Sequence, residues 1–297
     1  MKNLKFVVFS LITLTIICLY GFSNDFGKAK YMKSPEGFVF VPQSSLKIDE
    51  KTVSVAPFFI SKTEVTNQQY RTFLCALLQS GDSQSYRIAL PDTLQWRDKK
   101  AYNEPYVELY FRHPAYANYP VVNVSYEGAL LYCQWLTKEY HKKNPNIKAD
   151  FRLPAREEWV LAAKGGNENA IYPWNSLYLR DAKGTFSCNF KAIGSENISF
   201  NASTQNYDIK ADALSFLMYD NGQITVPVES YKSNNYGVFN MSGNVAEMCN
   251  EKGKALGGGW NSTGYDVRIE SVMNYEHANV YTGFRPVISF YSETIKK

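Results

Sequence analysis

Residues 235–260 read NYGVFNMSGNVAEMCNEKGKALGGGW, a stretch in which glycines, asparagines and apolar residues are concentrated. Within it, Asn240, Asn244 and Glu247 alternate with apolar side chains, and Gly243 lies among them. This alternation is typical of a tight irregular loop that wraps a hard cation with side-chain and backbone oxygens. The alternative is a hydrogen-bonded turn that Asn240 caps without a metal.

The composition of the 297-residue chain indicates a globular protein. Apolar residues make up 45% of the chain and aromatic residues 15%, which is enough for a sizeable core. The formal net charge is +4, and no run of five or more lysines and arginines occurs. The charge therefore indicates neither nucleic-acid binding nor attraction to an anionic membrane surface.

The N-terminal residues have the form of a secretory signal peptide. Two lysines precede an almost wholly apolar run at 6–20, and small residues follow it. We therefore predict export, with residues 1–23 as the signal peptide. An uncleaved membrane anchor is one alternative, although the run is short for a spanning helix. Acylation of Cys18 is another, although Ile17 stands where a lipoprotein signal has a small residue.

Two stretches have the spacing of helices. Thr66 and Gln69 are spaced as a capping box, and apolar residues recur with helical periodicity over 67–78. Ser125 precedes a second periodic stretch, which Pro145 ends. Both stretches are predicted to be helices.

Other long stretches show no clear period. Residues 79–119 are interpreted as a long, partly ordered surface excursion, 120–124 as a short strand and 176–225 as mostly loop. So much irregular chain in one compact unit indicates that something other than secondary structure holds it together. Since no repeat and no second hydrophobic core is visible, we predict one α+β domain over 35–293.

The cysteines of the predicted mature chain give no clear framework. Cys75, Cys133, Cys188 and Cys249 are widely spaced and form no CxxC, so neither a zinc site nor a dense disulfide network is predicted. One or two disulfides remain open for an exported chain. Buried free thiols are equally open, because Cys75 and Cys133 each fall on an apolar helical face.

Seven short phrases then occur in order along nearly the whole predicted mature chain. They are TEVTNQQY at 63–70, PVVNVSYEGALLYCQWL at 120–136, RLPAREEW at 152–159, YPWN at 172–175, NYGVFNMSGNVAE at 235–247, GGGW at 257–260 and GFRP at 283–286. Together they resemble the formylglycine-generating enzyme family, also called sulfatase-modifying factors. The resemblance implies a single mixed domain poor in regular structure, related to the C-type lectin fold and stabilised by calcium.

The resemblance also implies two calcium sites. Their ligands would be the Asn240 side chain, the carbonyls of Gly243 and Val245 and the Glu247 carboxylate at the first site, and Asn189, the carbonyl of Phe190, Asp220 and the carbonyl of Gly222 at the second. Carboxylate, amide and carbonyl oxygens are the ligands that calcium prefers. The alternative at both sites is a network of turns without metal.

The catalytic pattern of the family does not carry over. Active members place one cysteine two residues after the aromatic residue of the GG-x-aromatic phrase and another five residues later, and the resemblance implies that this thiolate pair holds Cu(I) and engages the substrate cysteine. In this chain the two residues are Ser262 and Val267. Since neither can supply a thiolate, copper is not expected. Nothing in the spacing of Cys188 and Cys249 supports a displaced pair.

These observations favour an exported, non-catalytic binding or scaffold module of the cell envelope, in the periplasm, at the outer membrane or outside the cell. Its expected partner is a protein, peptide or glycan, with no nucleic acid and with membrane contact only through an N-terminal anchor. The gliding-motility and type IX secretion lipoproteins are similar to it by analogy. The alternative function is a copper-dependent oxidase that acts on sulfatase cysteines, which the family name implies.

Overall fold

The computed structural model describes residues 34–99, 101–193, 198–209 and 222–290. The chain divides into two units, Met1–Pro35 and Glu36–Lys297, and nearly all the described residues belong to the second. The predicted signal peptide at 1–23 lies outside the described residues. Within the described ranges, no helix is both long enough and apolar enough to cross a membrane.

Helices and strands are mixed along the chain, which confirms the predicted α+β class. The helices are α1 (Asn67–Gln79), α2 (Ser83–Ala89), α3 (Glu104–Leu109), α4 (Tyr126–Lys143) and α5 (Arg156–Lys164), with 3-10 helices at Thr93–Trp96 and Pro114–Tyr116. The strands are β1 (Phe38–Val41), β2 (Ser44–Ile48), β3 (Lys51–Val55), β4 (Phe58–Ser61), β5 (Ala149–Arg152), β6 (Ile198–Asn201), β7 (Asn206–Ile209), β8 (Ala246–Met248), β9 (Lys254–Leu256), β10 (Val272–Asn274), β11 (Thr282–Gly283) and β12 (Val287–Phe290).

Two four-stranded sheets organise the described part of the chain. The first has the order β1-β4-β12-β5, with antiparallel neighbours throughout. The second has the order β10-β9-β8-β11, and its β8–β11 pair is parallel. Strands β8 and β9 belong to the stretch 235–260, so this stretch supplies the middle of the second sheet.

Helix α1 begins where its sequence predicts. The Thr66 hydroxyl accepts a hydrogen bond from the Gln69 backbone N–H at 3.2 Å, and the Gln69 side chain accepts one from the Thr66 N–H at 2.9 Å. This reciprocal capping box satisfies two N–H groups that have no partner within the helix. Tyr70 and Phe73 on its inner face are completely buried.

Helices α4 and α5 also begin at capped N-termini. The Ser125 hydroxyl accepts from the Gly128 N–H at 3.0 Å, and the Glu158 carboxylate accepts from the Ala155 N–H at 2.8 Å. Helix α5 carries Trp159, which is completely buried and faces the stretch 235–260. Helix α5 therefore contacts the stretch 235–260 through the buried Trp159 side chain.

Of the expectations for irregular regions, the strand at 120–124 was wrong. Residues 79–119 contain α2, α3 and both 3-10 helices, which are too short to show a helical period in the sequence. Residues 120–124 form only an isolated bridge, from Pro120 to Thr66. The described part of 176–225 is mostly loop, as expected, and the β6–β7 hairpin is its regular element.

Candidate functional site

A buried ion pair links β8 to the segment between β11 and β12. Arg285 and Glu247 are both completely buried, and their side chains form a bidentate pair at 2.6 Å and 2.5 Å. The Trp159 indole N–H donates a third hydrogen bond to the Glu247 carboxylate, at 2.7 Å. Because both carboxylate oxygens have strong donors, the buried charge of Glu247 is compensated.

A second buried carboxylate lies beside this pair. Glu64 is completely buried, and its nearest cation is Arg285, with 3.9 Å between the Arg285 Nη2 and Glu64 Oε2 atoms. The side-chain amides of Asn244 and Asn240 donate to it at 2.8 Å and 3.3 Å. Burial, opposed by the Arg285 guanidinium, raises the pKa of Glu64 from 4.5 to about 7. Two buried carboxylates therefore share one arginine.

Neither Glu64 nor Arg285 was singled out from the sequence. Both lie in phrases that carry the family resemblance, TEVTNQQY and GFRP, and both are charged residues that adjoin buried apolar residues. A charged residue flanked by core residues is the signal that could have found them, since such groups are rarely fully buried without a partner.

The first predicted calcium group is brought together only in part. Gly243 and Asn240 adopt positive φ angles, 74° and 51°, so the loop is as tight as predicted. The Oδ1 atom of Asn240 is buried and has no hydrogen-bond partner among the described residues. An unpaired amide oxygen fits a cation ligand. The Glu247 carboxylate, in contrast, is already held by Arg285 and Trp159, while Glu64 lies beside Asn240. Val245 is also buried in this loop.

The second predicted group is described in part, because Asp220 lies outside the described residues. The Asn189 amide donates to the Ile224 carbonyl at 2.7 Å, and its Oδ1 atom is buried with no partner among the residues that the structure describes. A Cβ added at Gly222 would lie 3.2 Å from the Asn189 amide nitrogen, so these two residues are neighbours. Phe190, which follows Asn189 in the chain, is buried. The free amide oxygen again fits a hard cation.

The two predicted groups adjoin each other. The Asn244 N–H donates to the Asn189 carbonyl at 2.7 Å. A Cβ at Gly243 would lie 2.3 Å from the same carbonyl oxygen, closer than real Cβ atoms come. Only glycine allows this approach, which holds the segment around Asn189 against the stretch 235–260.

The residues that stand where the resemblance expects copper ligands are neighbours, but neither fits copper. A Cβ added at Gly258 would lie 3.1 Å from the Ser262 Cβ and 3.0 Å from the Val267 Cγ1. The Ser262 hydroxyl accepts a hydrogen bond from the Gly259 N–H at 3.0 Å. Val267 is completely buried among aromatic side chains. Cu(I) prefers soft thiolate or thioether ligands, which neither residue provides.

The thiols of the described residues do not replace that pair. Cys133, Cys188 and Cys249 are buried and free, and burial raises the pKa of each, that of Cys133 to about 12. Cys188 and Cys249 belong to different core clusters. Cys75 is free and exposed, so of the two helical cysteines only Cys133 is buried. No group of three or more histidine, cysteine or acidic residues suited to a metal occurs in the described ranges.

A groove opens beside the glycine-rich loop at Trp260. Its volume is about 450 Å³, and its lining includes Trp96, Trp260, Ile224 and Val280 together with polar side chains such as Asn103. The Trp260 indole N–H donates to the Val280 carbonyl at 2.9 Å, which fixes one wall. We call this cavity the Trp260 groove. It offers the partly exposed Trp260 ring for binding, whereas Trp96 is only 3% exposed, and Ser262 and Val267 are not part of its lining.

Known proteins share this sequence pattern and fold. A formylglycine-generating enzyme of Thermomonospora curvata is 27% identical over 226 residues, covering 67% of this chain and 61% of that protein. The Mus musculus protein named inactive C-alpha-formylglycine-generating enzyme 2 is 24% identical over 216 residues, covering 66% and 59%. The chain thus spans about three fifths of the length of these curated relatives.

The structure of PvdO from Pseudomonas aeruginosa has the same fold, with a TM-score of 0.56 at 18% identity, and covers 85% of this chain and 94% of that one. The family model described as the sulfatase-modifying factor enzyme 1-like domain matches residues 25–289. Since this match spans most of the sequence, the chain belongs to the sulfatase-modifying factor enzyme 1-like domain family.

Proposed function

We propose that this chain is an exported, non-catalytic member of its family that acts as a calcium-stabilised binding or scaffold module of the cell envelope. One observation carries the proposal. Ser262 and Val267 stand where the resemblance expects the copper-binding thiolates, and both are buried side chains that carry no sulfur atom. A hydroxyl and a hydrocarbon cannot hold Cu(I) or exchange with a substrate thiol.

The relatives are compatible with either state of the site. The chain is similar to a protein named formylglycine-generating enzyme and, at nearly the same identity, to one whose name calls it inactive. Family membership by itself therefore does not decide activity.

Calcium is proposed as a structural ion. The support is that Asn240 and Asn189, the amide ligands that the resemblance implies, each keep a buried Oδ1 atom without a partner among the described residues. In a folded protein such atoms are rare, and a bound cation would satisfy them. The ion would hold the loop around Asn189 and the stretch 235–260 in place.

The Trp260 groove is the proposed binding surface for a protein, peptide or glycan. The partly exposed Trp260 ring gives the groove an apolar aromatic face, which Ile224 and Val280 extend, and exposed tryptophan rings recur at recognition sites. Export to the periplasm, the outer membrane or the cell exterior is proposed from the apolar run at 6–20.

The test of non-catalysis is direct. Purified protein is incubated with Cu(I) and a cysteine-containing sulfatase peptide, and the peptide is analysed for an aldehyde by mass spectrometry. A catalytically active formylglycine-generating enzyme serves as positive control. We expect no aldehyde from this chain; robust turnover would instead establish the copper-dependent oxidase.

The binding role is tested by affinity capture from the native envelope. Ile224→Glu places a charge on the wall of the Trp260 groove, and Ile171→Glu makes the same change at a residue outside it. We expect Ile224→Glu to lose the captured partner and Ile171→Glu to keep it. Equal capture by both variants would exclude this groove as the binding surface.

A further inference from the structure

A second groove lies along α1, and its lining residues differ from those of the Trp260 groove. It has a volume of about 510 Å³, within the range of roughly 300–1,000 Å³ that ligand sites occupy. Leu78, Leu90 and Leu94 line it and are 56%, 49% and 57% exposed. We call it the α1 groove. Half-exposed leucines that share one groove are typical of a surface that another molecule covers.

Two arginines stand on the wall of this apolar groove. Arg71 is half-buried, and its guanidinium donates to the Phe111 carbonyl at 2.5 Å, while Arg112 donates to the Glu108 carbonyl. Burial lowers the pKa of Arg71, which means that the cation is partly desolvated. No carboxylate of the described residues lies within ion-pair distance of either guanidinium. Both cations therefore lack charge compensation there.

The acid in the groove lining is already engaged. Asp92 accepts hydrogen bonds from the Leu94 N–H at 3.2 Å and from the Gln95 amide at 2.8 Å, which hold it in the turn before Thr93–Trp96. It compensates neither arginine within 4 Å. The groove thus combines an apolar floor with an excess of positive charge.

We propose that the α1 groove docks a short segment of a partner protein that carries leucine-like side chains next to a carboxylate. The leucines supply the apolar contact, and the carboxylate is received by Arg71 and Arg112, whose forked guanidinium groups suit a carboxylate. Because the leucines of the groove are half exposed, a ligand bound there keeps one side in contact with water. A peptide can place its polar backbone on that side, whereas an alkyl chain would leave apolar surface exposed.

This proposal does not depend on whether the domain is catalytic. The α1 groove and the Trp260 groove share no lining residue. The outcome of the binding test at one groove therefore does not decide the proposal for the other groove.

Cys75 provides a direct readout of occupancy. It lines the α1 groove and is exposed, whereas Cys133, Cys188 and Cys249 are buried. Full-length protein with Cys18→Ser is treated with a slow thiol-alkylating reagent, and modification of Cys75 is followed by mass spectrometry. The probes are pooled decapeptides that combine leucine with aspartate or glutamate, with lysine-for-acid pools, serine-for-leucine pools and dodecanoate as comparisons.

We expect the acidic leucine pools alone to slow alkylation of Cys75. In Arg112→Glu, the peptide concentration that gives half protection should rise about tenfold or more, because a favourable charge contact becomes repulsive. Arg87→Glu, an exposed arginine outside the groove lining, should leave it unchanged. Leu94→Asp should also weaken protection, and Leu109→Asp should not.

Three results would overturn the proposal. Protection by the lysine pools as strong as by the acidic pools would remove the role of the arginines. Protection by dodecanoate without protection by any peptide would make the groove a fatty-acid site. Alkylation that no pool slows would show that no such segment docks there.

Discussion

At the scale of single residues, Arg285 forms hydrogen bonds with segments that are far apart in the sequence. Its guanidinium donates to the carbonyls of Ser61, Lys62 and Phe239 and pairs with Glu247. Ser61 ends β4 and Glu247 lies in β8, so one side chain links the two sheets. A buried pair contributes little net stability as a whole, but removal of one partner strands the other charge.

Arg285→Met should therefore destabilise the protein by about 3–5 kcal/mol, because it leaves Glu247 and Glu64 without their cation. Urea unfolding followed by tryptophan fluorescence measures the loss. Arg87→Met, at an exposed arginine, should stay within about 0.5 kcal/mol of the wild type. A loss below about 1 kcal/mol for Arg285→Met would mean that the carboxylates are compensated in another way.

The amide oxygens of Asn240 and Asn189 allow a test of calcium at the same scale. Calcium at a hundredfold excess over its dissociation constant should stabilise the wild type by about 2.7 kcal/mol and raise its melting temperature relative to a chelator-treated sample. Asn240→Gly and Asn189→Ala each remove an unpaired oxygen and should reduce that rise. Asn175→Gly changes another asparagine with positive φ, at an exposed turn, and should not.

If calcium raises the melting temperature equally in all four proteins, then Asn240 and Asn189 are not its ligands. If calcium has no effect on the wild type, the ion has no structural role.

At the scale of elements, local signals predicted much and long-range contacts could not be predicted. The capping box at Thr66 fixes the start of α1 from four neighbouring residues, so the sequence suffices there. The pairing of Asn244 with Glu64 joins residues 180 positions apart, and that of Arg285 with Glu247 joins residues 38 apart. The periodicity of apolar residues within a short stretch carries no information about contacts between residues so far apart. Helix α3, with six residues, is too short to show one.

The loop that follows β9 brings the residues at the two expected copper-ligand positions to the same glycine. The side chains of Ser262 and Val267 both lie next to Gly258, so we expect cysteines at these two positions to lie close together. We expect Ser262→Cys/Val267→Cys to bind one Cu(I) per chain in competition with a Cu(I) chelator, and each single variant to bind at least about tenfold more weakly. Equal binding by the single and double variants would show that the two sulfur atoms do not meet.

At the scale of the whole molecule, buried tyrosine hydroxyls and cysteine thiols make the stability of the fold depend on pH in the alkaline range. Burial raises the pKa of Cys133 from 9.0 to about 12 and raises the pKa values of Tyr70, Tyr110 and Tyr132 above 10.0. The folded chain therefore holds these protons at pH values at which the unfolded chain releases them. The stability that they contribute is complete below about pH 9 and is lost as the pH rises through about 9–12.

We expect the melting temperature to fall steadily above about pH 9. Tyr132→Phe removes one of these protons while it keeps the ring, so the fall should be shallower than in the wild type. Tyr102→Phe, at a residue that is 86% exposed, should follow the wild type. A profile of Tyr132→Phe that runs parallel to that of the wild type would contradict the assignment.

The strand order of the first sheet has a consequence for how the chain is made. Strand β12, at Val287–Phe290, lies between β4 and β5, which are synthesised far earlier. Strands β4 and β5 do not pair with each other, so the sheet stays incomplete until residue 290 has left the ribosome. The first sheet therefore forms late, after nearly the whole chain has been synthesised.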